Sequence, residues 1–105
     1  MEKYCINIAR DFGIRPGGRW KALGPLSGEE FFESLLEPQF VQADKDSLKL
    51  HIYLDGCRSY PHSFLDQSFG ELARKYSKEK MREVIEFHAN EKAHIIDYIN
   101  KVIWA

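Results

Sequence analysis

Residues 59–70, SYPHSFLDQSFG, leave an apolar run, pass a proline and enter a helix near a serine. A hydroxyl at such a strand-to-helix junction serves one of three chemistries: nucleophile, helix cap or phosphorylated switch. As a nucleophile, Ser63 needs a base and oxyanion donors. His62 is its immediate neighbour, so the two side chains diverge, and no G-x-S-x-G elbow surrounds the serine. As a cap, Ser63 offers an acceptor to a backbone N–H, with Asp66 three residues on as its acidic partner. Capping demands least of the surroundings and is the default expectation.

A second stretch with chemical content is RDFGIRPGGRWK. Arg10, Arg15, Arg19 and Lys21 against Asp11, four basic residues less one acidic, give it a local charge of +3. Gly17 and Gly18 let backbone N–H groups approach a phosphate, so an anion site is one reading and a solvated loop with turn glycines is the other. A P-loop is excluded, because no GKS or GKT follows and no helix opens directly after it. Trp20 beside Arg19 could stack a base, but one aromatic is not a single-strand platform. His51, His62, His88, His94 and Cys57 are scattered, without an i, i+4 histidine pair or paired cysteines, so no metal site and no cofactor is expected.

The elements that position these residues follow from hydropathy period. YCINIAR alternates Tyr4, Ile6 and Ile8 against Cys5, Asn7 and Ala9, which predicts a strand over 5–9. A long loop with Gly13, Pro16, Gly17, Gly18, Gly24 and Pro25 comes next, with a short extended piece at 19–23. SGEE reads as a capping box from Ser27, Glu30 reaching back to the cap and Glu29 suiting the positive helix end. Phe31, Phe32, Leu35, Leu36, Phe40 and Ala43 then keep a helical period that Pro38 is expected to kink or interrupt.

Over 48–54, Leu48, Leu50, Ile52 and Leu54 face one way and Lys49, His51 and Tyr53 the other, predicting a strand with one buried and one wetter face. A helix over 63–76 buries Leu65, Phe69, Leu72 and Tyr76, and Ser77 caps the short turn KEKM. EVIEFH is a third strand, and EKAHIIDYINKVIWA a last helix with the stripe Ile95, Ile99, Val102 and Ile103. Strands alternating with helices favour right-handed βαβ units. The expected class is α/β, with a three- to four-stranded, mostly parallel sheet and helices mainly on one face. Parallel strands bring the Arg-rich loop and DGCRSYPHS to one carboxyl edge, where ligands gather in open sheets.

Composition bounds the rest. The 105 residues predict a single domain over 1–105, with 44% hydrophobic and 30% charged residues, ordinary for a globular chain. A formal charge of -1 gives no reason to expect nucleic acid or an anionic membrane, and no apolar run approaches the ~20 residues of a spanning helix. Cys5 and Cys57, without CxxC or a secretory signal peptide, read as reduced thiols of a cytoplasmic chain.

Three blocks together, INIARDFGIRPGGR, GPLSGEEFFESLL and LDGCRSYPHSFLDQSFGELAR, resemble the STAS-like domain of unknown function of small bacterial and phage proteins, over nearly the whole chain. Ser59 stands where that family often has glycine, His62 where it often has serine, and Gln67-Ser68 where it often has Glu-Ala. More distantly the chain is similar to the STAS domains of anti-sigma-factor antagonists, whose Asp-Ser-Ser-Gly turn is phosphorylated by a GHKL-type kinase. The resemblance implies a non-enzymatic, regulatory protein-binding module with a phosphoswitch at Ser63. It implies a protein partner of the GHKL-type ATPase or kinase class and leaves a homo-oligomer open. The binding surface would combine Arg10, Arg15, Gly17, Gly18 and Arg19 with Asp55, Tyr60, His62 and Asp66. The alternative is a small nucleotide- or phosphate-binding protein that uses the PGGR loop.

Overall fold

The computed structural model describes residues 2–105. Its centre is the run of period two. Leu50 and Ile52 turn one way and His51 and Tyr53 the other, forming β2 (Leu50–Tyr53). β1 (Tyr4–Asn7) and β3 (Ile85–His88) pair with it on either side, both parallel, in the order β1-β2-β3. The register sets Ile6 beside Ile52 and Leu50 beside Ile85, so one face of the sheet is apolar and buried. The reverse face carries Asn7, His51, Tyr53, Glu86 and His88. The helices pack on the apolar face, where the buried side chains form one continuous core. The α/β class and the parallel sheet are as expected.

The first strand is shorter than its period suggests. It stops at Asn7, whose side chain accepts the Arg10 N–H at 3.1 Å and caps a one-turn helix, α1 (Ile8–Asp11). In place of an extended piece after Arg19, Lys21–Leu23 forms a 3-10 turn. Leu48 lies outside β2 and is exposed. Its N–H donates to Ala43 O and Ser47 takes a φ of 56°, so the residue closes the preceding helix in a Schellman turn instead of extending the strand.

That helix, α2, spans 28–45. Ser27 caps it as expected, accepting from Glu30 N at 3.0 Å, while the Glu30 carboxylate reaches one residue further back, to Leu26 N at 3.2 Å. Pro38 does not interrupt it. Residues 32–36 wind as a π turn, the Glu37 N–H reaching Phe32 O five residues back, and the wider turn takes up the strain that a proline ring places on the carbonyls before it. Gly28 fits a close crossing: a Cβ there would stand 2.7 Å from Phe64 O and 3.2 Å from Phe64 Cα. Above the crossing Phe31 meets Phe12, Phe64 and Phe69 at ring separations of 5.2, 5.6 and 5.9 Å.

The remaining helices are α3 over 62–76, α4 (Lys78–Val84), capped by Ser77 through Lys80 N at 3.2 Å, and α5 over 93–103. α3 contains a π turn at 66–70 and α5 one at 99–103. In α5 the extra residue moves the buried face from Val102, which is exposed, to Trp104, whose indole donates to Phe69 O at 3.0 Å. Tyr76, expected inside, is half-buried with its hydroxyl donating to Glu37.

Candidate functional site

Parallel pairing brings the three strand exits to one edge, and hydrogen bonds tie their loops together. The Arg58 N–H donates to Ile14 O at 2.7 Å, and the Cys57 thiol lies 3.4 Å from Gly13 O. Asp55 accepts from the backbone N–H groups of Asn90 (2.7 Å) and Lys92 (2.9 Å), which bind the loop after β3 to the loop after β2. The Asn90 N–H is the chief cause that holds the Asp55 carboxyl below the usual carboxylate range. Tyr60 is buried with its hydroxyl on Leu54 O at 2.7 Å, and burial pushes its phenol upward. Asp55 and Tyr60 therefore stitch the edge.

The Arg-rich loop is spent largely on its own fold. Gly17 donates its N–H to Leu26 O at 2.6 Å, and a Cβ on it would meet Pro25 O at 2.5 Å. The carbonyls of Gly18 and Arg19 accept from Gly28 N (2.8 Å) and Glu29 N (3.0 Å), and the Lys21 N–H donates to the Glu29 carboxylate at 2.9 Å, so these loop groups are spent on the start of α2. Arg10 is paired with Asp11 at 2.8 Å, and Lys21 with Glu33. Arg19 reaches Asp66 at 2.5 Å, and Arg74 holds the other oxygen of Asp66 at 3.1 Å. The Arg19 guanidinium, helped by Arg74 and opposed by burial, keeps the Asp66 carboxyl below its ordinary range. Arg15 is exposed and forms no ion pair among the described residues.

Ser63 is not the cap of α3. The helix opens one residue earlier, at His62, behind Pro61, whose φ of -57° and ψ of 142° give it the extended backbone of an N-cap, and whose carbonyl accepts from Leu65 N. The proline sets the helix entry, and Ser63 falls in the first turn, half-buried, with its hydroxyl in no side-chain hydrogen bond among the described residues. His62 is exposed and stacks on Tyr98, ring centres 4.3 Å apart, so the imidazole is turned to α5.

Two features escaped sequence reasoning. Ile14, Trp20 and Leu23, at 48, 45 and 73% exposure, are three of the six large exposed hydrophobic residues of the described chain, and all lie on the loop between β1 and α2. Their clustering within ten positions was visible; their exposure depends on how the loop folds. The second is that the histidines are not all scattered. His51 and His88 approach to 2.9 Å on the reverse face of the sheet, with Glu2 beside them. No periodic spacing signals this, because the two lie on different strands and meet through register.

No helix among the described residues is long and apolar enough to cross a membrane, and both cysteines are free thiols. The model of the family described as STAS-like domain of unknown function matches residues 27–94. That match begins at the cap of α2 and ends in α5, so INIARDFGIRPGGR, which carries part of the wider resemblance, lies outside it. No curated protein and no solved structure matches the chain.

Proposed function

Because this chain belongs to the family of STAS-like domains of unknown function, we propose that it is a non-enzymatic partner-binding module whose surface is the carboxyl edge of the sheet. The observation that carries this reading is the loop with Ile14, Trp20 and Leu23: it exposes apolar side chains while its backbone is pinned at both ends. Pinned, exposed apolar groups cost little ordering entropy when a partner covers them. Aromatic anchors of this type dominate binding energy in protein interfaces. Arg15 and His62 supply polar groups at the same edge. The partner class is a GHKL-type ATPase or kinase, on the strength of the STAS resemblance.

Ser63 is the switch in this proposal. Ser63 and Asp66 are three residues apart in α3 and share a face. Arg19, which anchors the exposed loop to α3, is paired with Asp66. A phosphate on Ser63 adds ~-1.5 to -2 charges one turn from that pair and competes for the arginine. The fold tolerates the charge because it falls at the positive end of a helix. The loop is what moves.

The test is capture of the partner from a native-host lysate by immobilised chain, with each variant first shown to melt like wild type. Trp20→Ala/Leu23→Ala and Ser63→Asp should each lose most of the captured protein, and Ser63→Ala should retain it. Equal capture by all four proteins removes both the surface and the switch. Loss with Trp20→Ala/Leu23→Ala alone keeps the surface and removes the switch.

A further inference from the structure

The reverse face of the sheet, away from the loops, carries a set of side chains that the partner-binding reading does not use. β2 and β3 pair so that His51 stands opposite Glu86 and Tyr53 opposite His88. Residues i and i+2 of a strand share a face, so all four side chains lie on the face of the sheet opposite the buried Leu50, Ile52 and Ile85. Glu2 folds over the same face. Its carboxylate and the ring nitrogens of His51 and His88 offer three donor atoms within 4.8 Å of one another.

We propose that Glu2, His51 and His88 bind a first-row divalent ion of the zinc type, with Glu86 as the fourth donor. Three of the donor separations are close to a tetrahedral edge. Donors bound at 2.0–2.1 Å around zinc stand ~3.3 Å apart along each tetrahedral edge. His51 Nδ1 lies 3.5 Å from Glu2 and 3.5 Å from Glu86, His88 Nε2 lies 3.2 Å from Glu86, and the two imidazole nitrogens are 2.9 Å apart. The histidine pair opens by a few tenths of an ångström to admit the ion, the three His–Glu separations just given already fit, and the half-exposed Glu86 side chain turns in to complete the set.

The outer contacts also suit a metal. The Tyr53 hydroxyl donates to both oxygens of Glu2, at 2.8 and 2.7 Å, and its ring stacks on His88 with centres 4.5 Å apart. One residue thus orients two ligands, the part that outer partners play around bound zinc. Two carboxylates beside two neutral imidazoles balance a charge of +2. A donor set of two imidazole nitrogens and two carboxylates selects zinc, nickel or copper over magnesium or calcium. A shallow hollow lined by Asn7, Tyr53, Asp55 and His88 borders the cluster and leaves it open to solvent.

The experiment uses the full chain without a histidine tag, stripped with chelator, and titrates zinc chloride by calorimetry with magnesium chloride as control. One zinc per chain should bind and raise the Tm, and magnesium should do neither. The His51→Gln/His88→Gln variant should lose both effects, and Tyr53→Phe should weaken zinc by about 10- to 100-fold. In wild type, zinc should shift the ring NMR signals of His51 and His88 and leave those of His62 and His94 in place, a readout that does not depend on any variant folding. Absence of saturable zinc binding, binding undiminished in the double variant, or shifts confined to His62 and His94 would each overturn the site.

Discussion

Gly28→Ala is the substitution for which local and tertiary effects have opposite signs. In a helix free of neighbours, alanine is favoured over glycine by about 1 kcal/mol. Gly28 has no positive φ, so alanine can adopt its backbone and part of that gain is available. Against it stands the crossing with α3. The added carbon would meet Phe64 O at 2.7 Å, Gln67 Cβ at 3.0 Å and Phe64 Cα at 3.2 Å, and two of these are backbone atoms that cannot rotate away. Relief requires α2 to lift from α3, which loosens the Phe31–Phe64 contact and the Gly28 N–H bond to Gly18 O. Overpacking of this kind costs ~1–3 kcal/mol. With about half of that helix gain set against the cost, the variant should be destabilised by ~0.5–2.5 kcal/mol, a fall in Tm of roughly 2–11 °C for a domain of this size. Gly18→Ala is the control, since only Leu23 Cδ1 lies within reach of its Cβ, at 3.9 Å. Calorimetry of the three proteins decides the matter. If Gly28→Ala melts at or above wild type, the close crossing is wrong and with it the placement of α2 on α3.

Two further perturbations test the core and the clamp. Leu50→Ala, at a fully buried position of the central strand, should lower unfolding free energy by ~2–5 kcal/mol, and a urea melt that overlays wild type would remove Leu50 from the core. Asp66→Asn should flatten the acid limb of the stability curve: the folded carboxyl is held low by Arg19, so its contribution is present above the ordinary carboxylate pKa and lost as pH falls below about 4, and wild type and variant should converge there. Parallel acid limbs in chemical denaturation from neutral pH downward would show that the pair does not matter to folding.

The sheet was legible because its signal is local. Leu50 and Ile52 against His51 and Tyr53 fix the faces of the central strand, and alternation with helices fixes its parallel neighbours. The helices were legible in extent but not in phase. Phe31 to Leu36, Phe64 to Phe69 and Ile99 to Trp104 are five-residue steps between buried positions, each spanning a π turn. A 3.6-residue period assigns Val102 to the core and cannot foresee the step that replaces it with Trp104. Ser63 misled for a related reason: a serine near a helix start reads as a cap, and the extended Pro61 takes that place. The histidine cluster needed the β2–β3 register, which no spacing along the chain contains.

The motifs that look most like chemistry are, in this fold, largely mechanical. Gly17 sits against Pro25, Gly18 and Arg19 close the N-terminus of α2 with their carbonyls, and the Arg19 side chain continues to Asp66 on α3. One loop therefore latches two helices that themselves meet at Gly28 and Phe64. This accounts for PGGR, SGEE and the aspartate of SFLD in a single chain without a phosphate ligand: each part holds the next. It also sets where a charge would act. A change at Arg19 or Asp66 removes the side-chain tie between loop and α3 and leaves the backbone bonds, next to the exposed Ile14, Trp20 and Leu23. In the proposed switch, Ser63 needs no contact with the partner, because it stands one turn from the carboxylate that holds the latch shut.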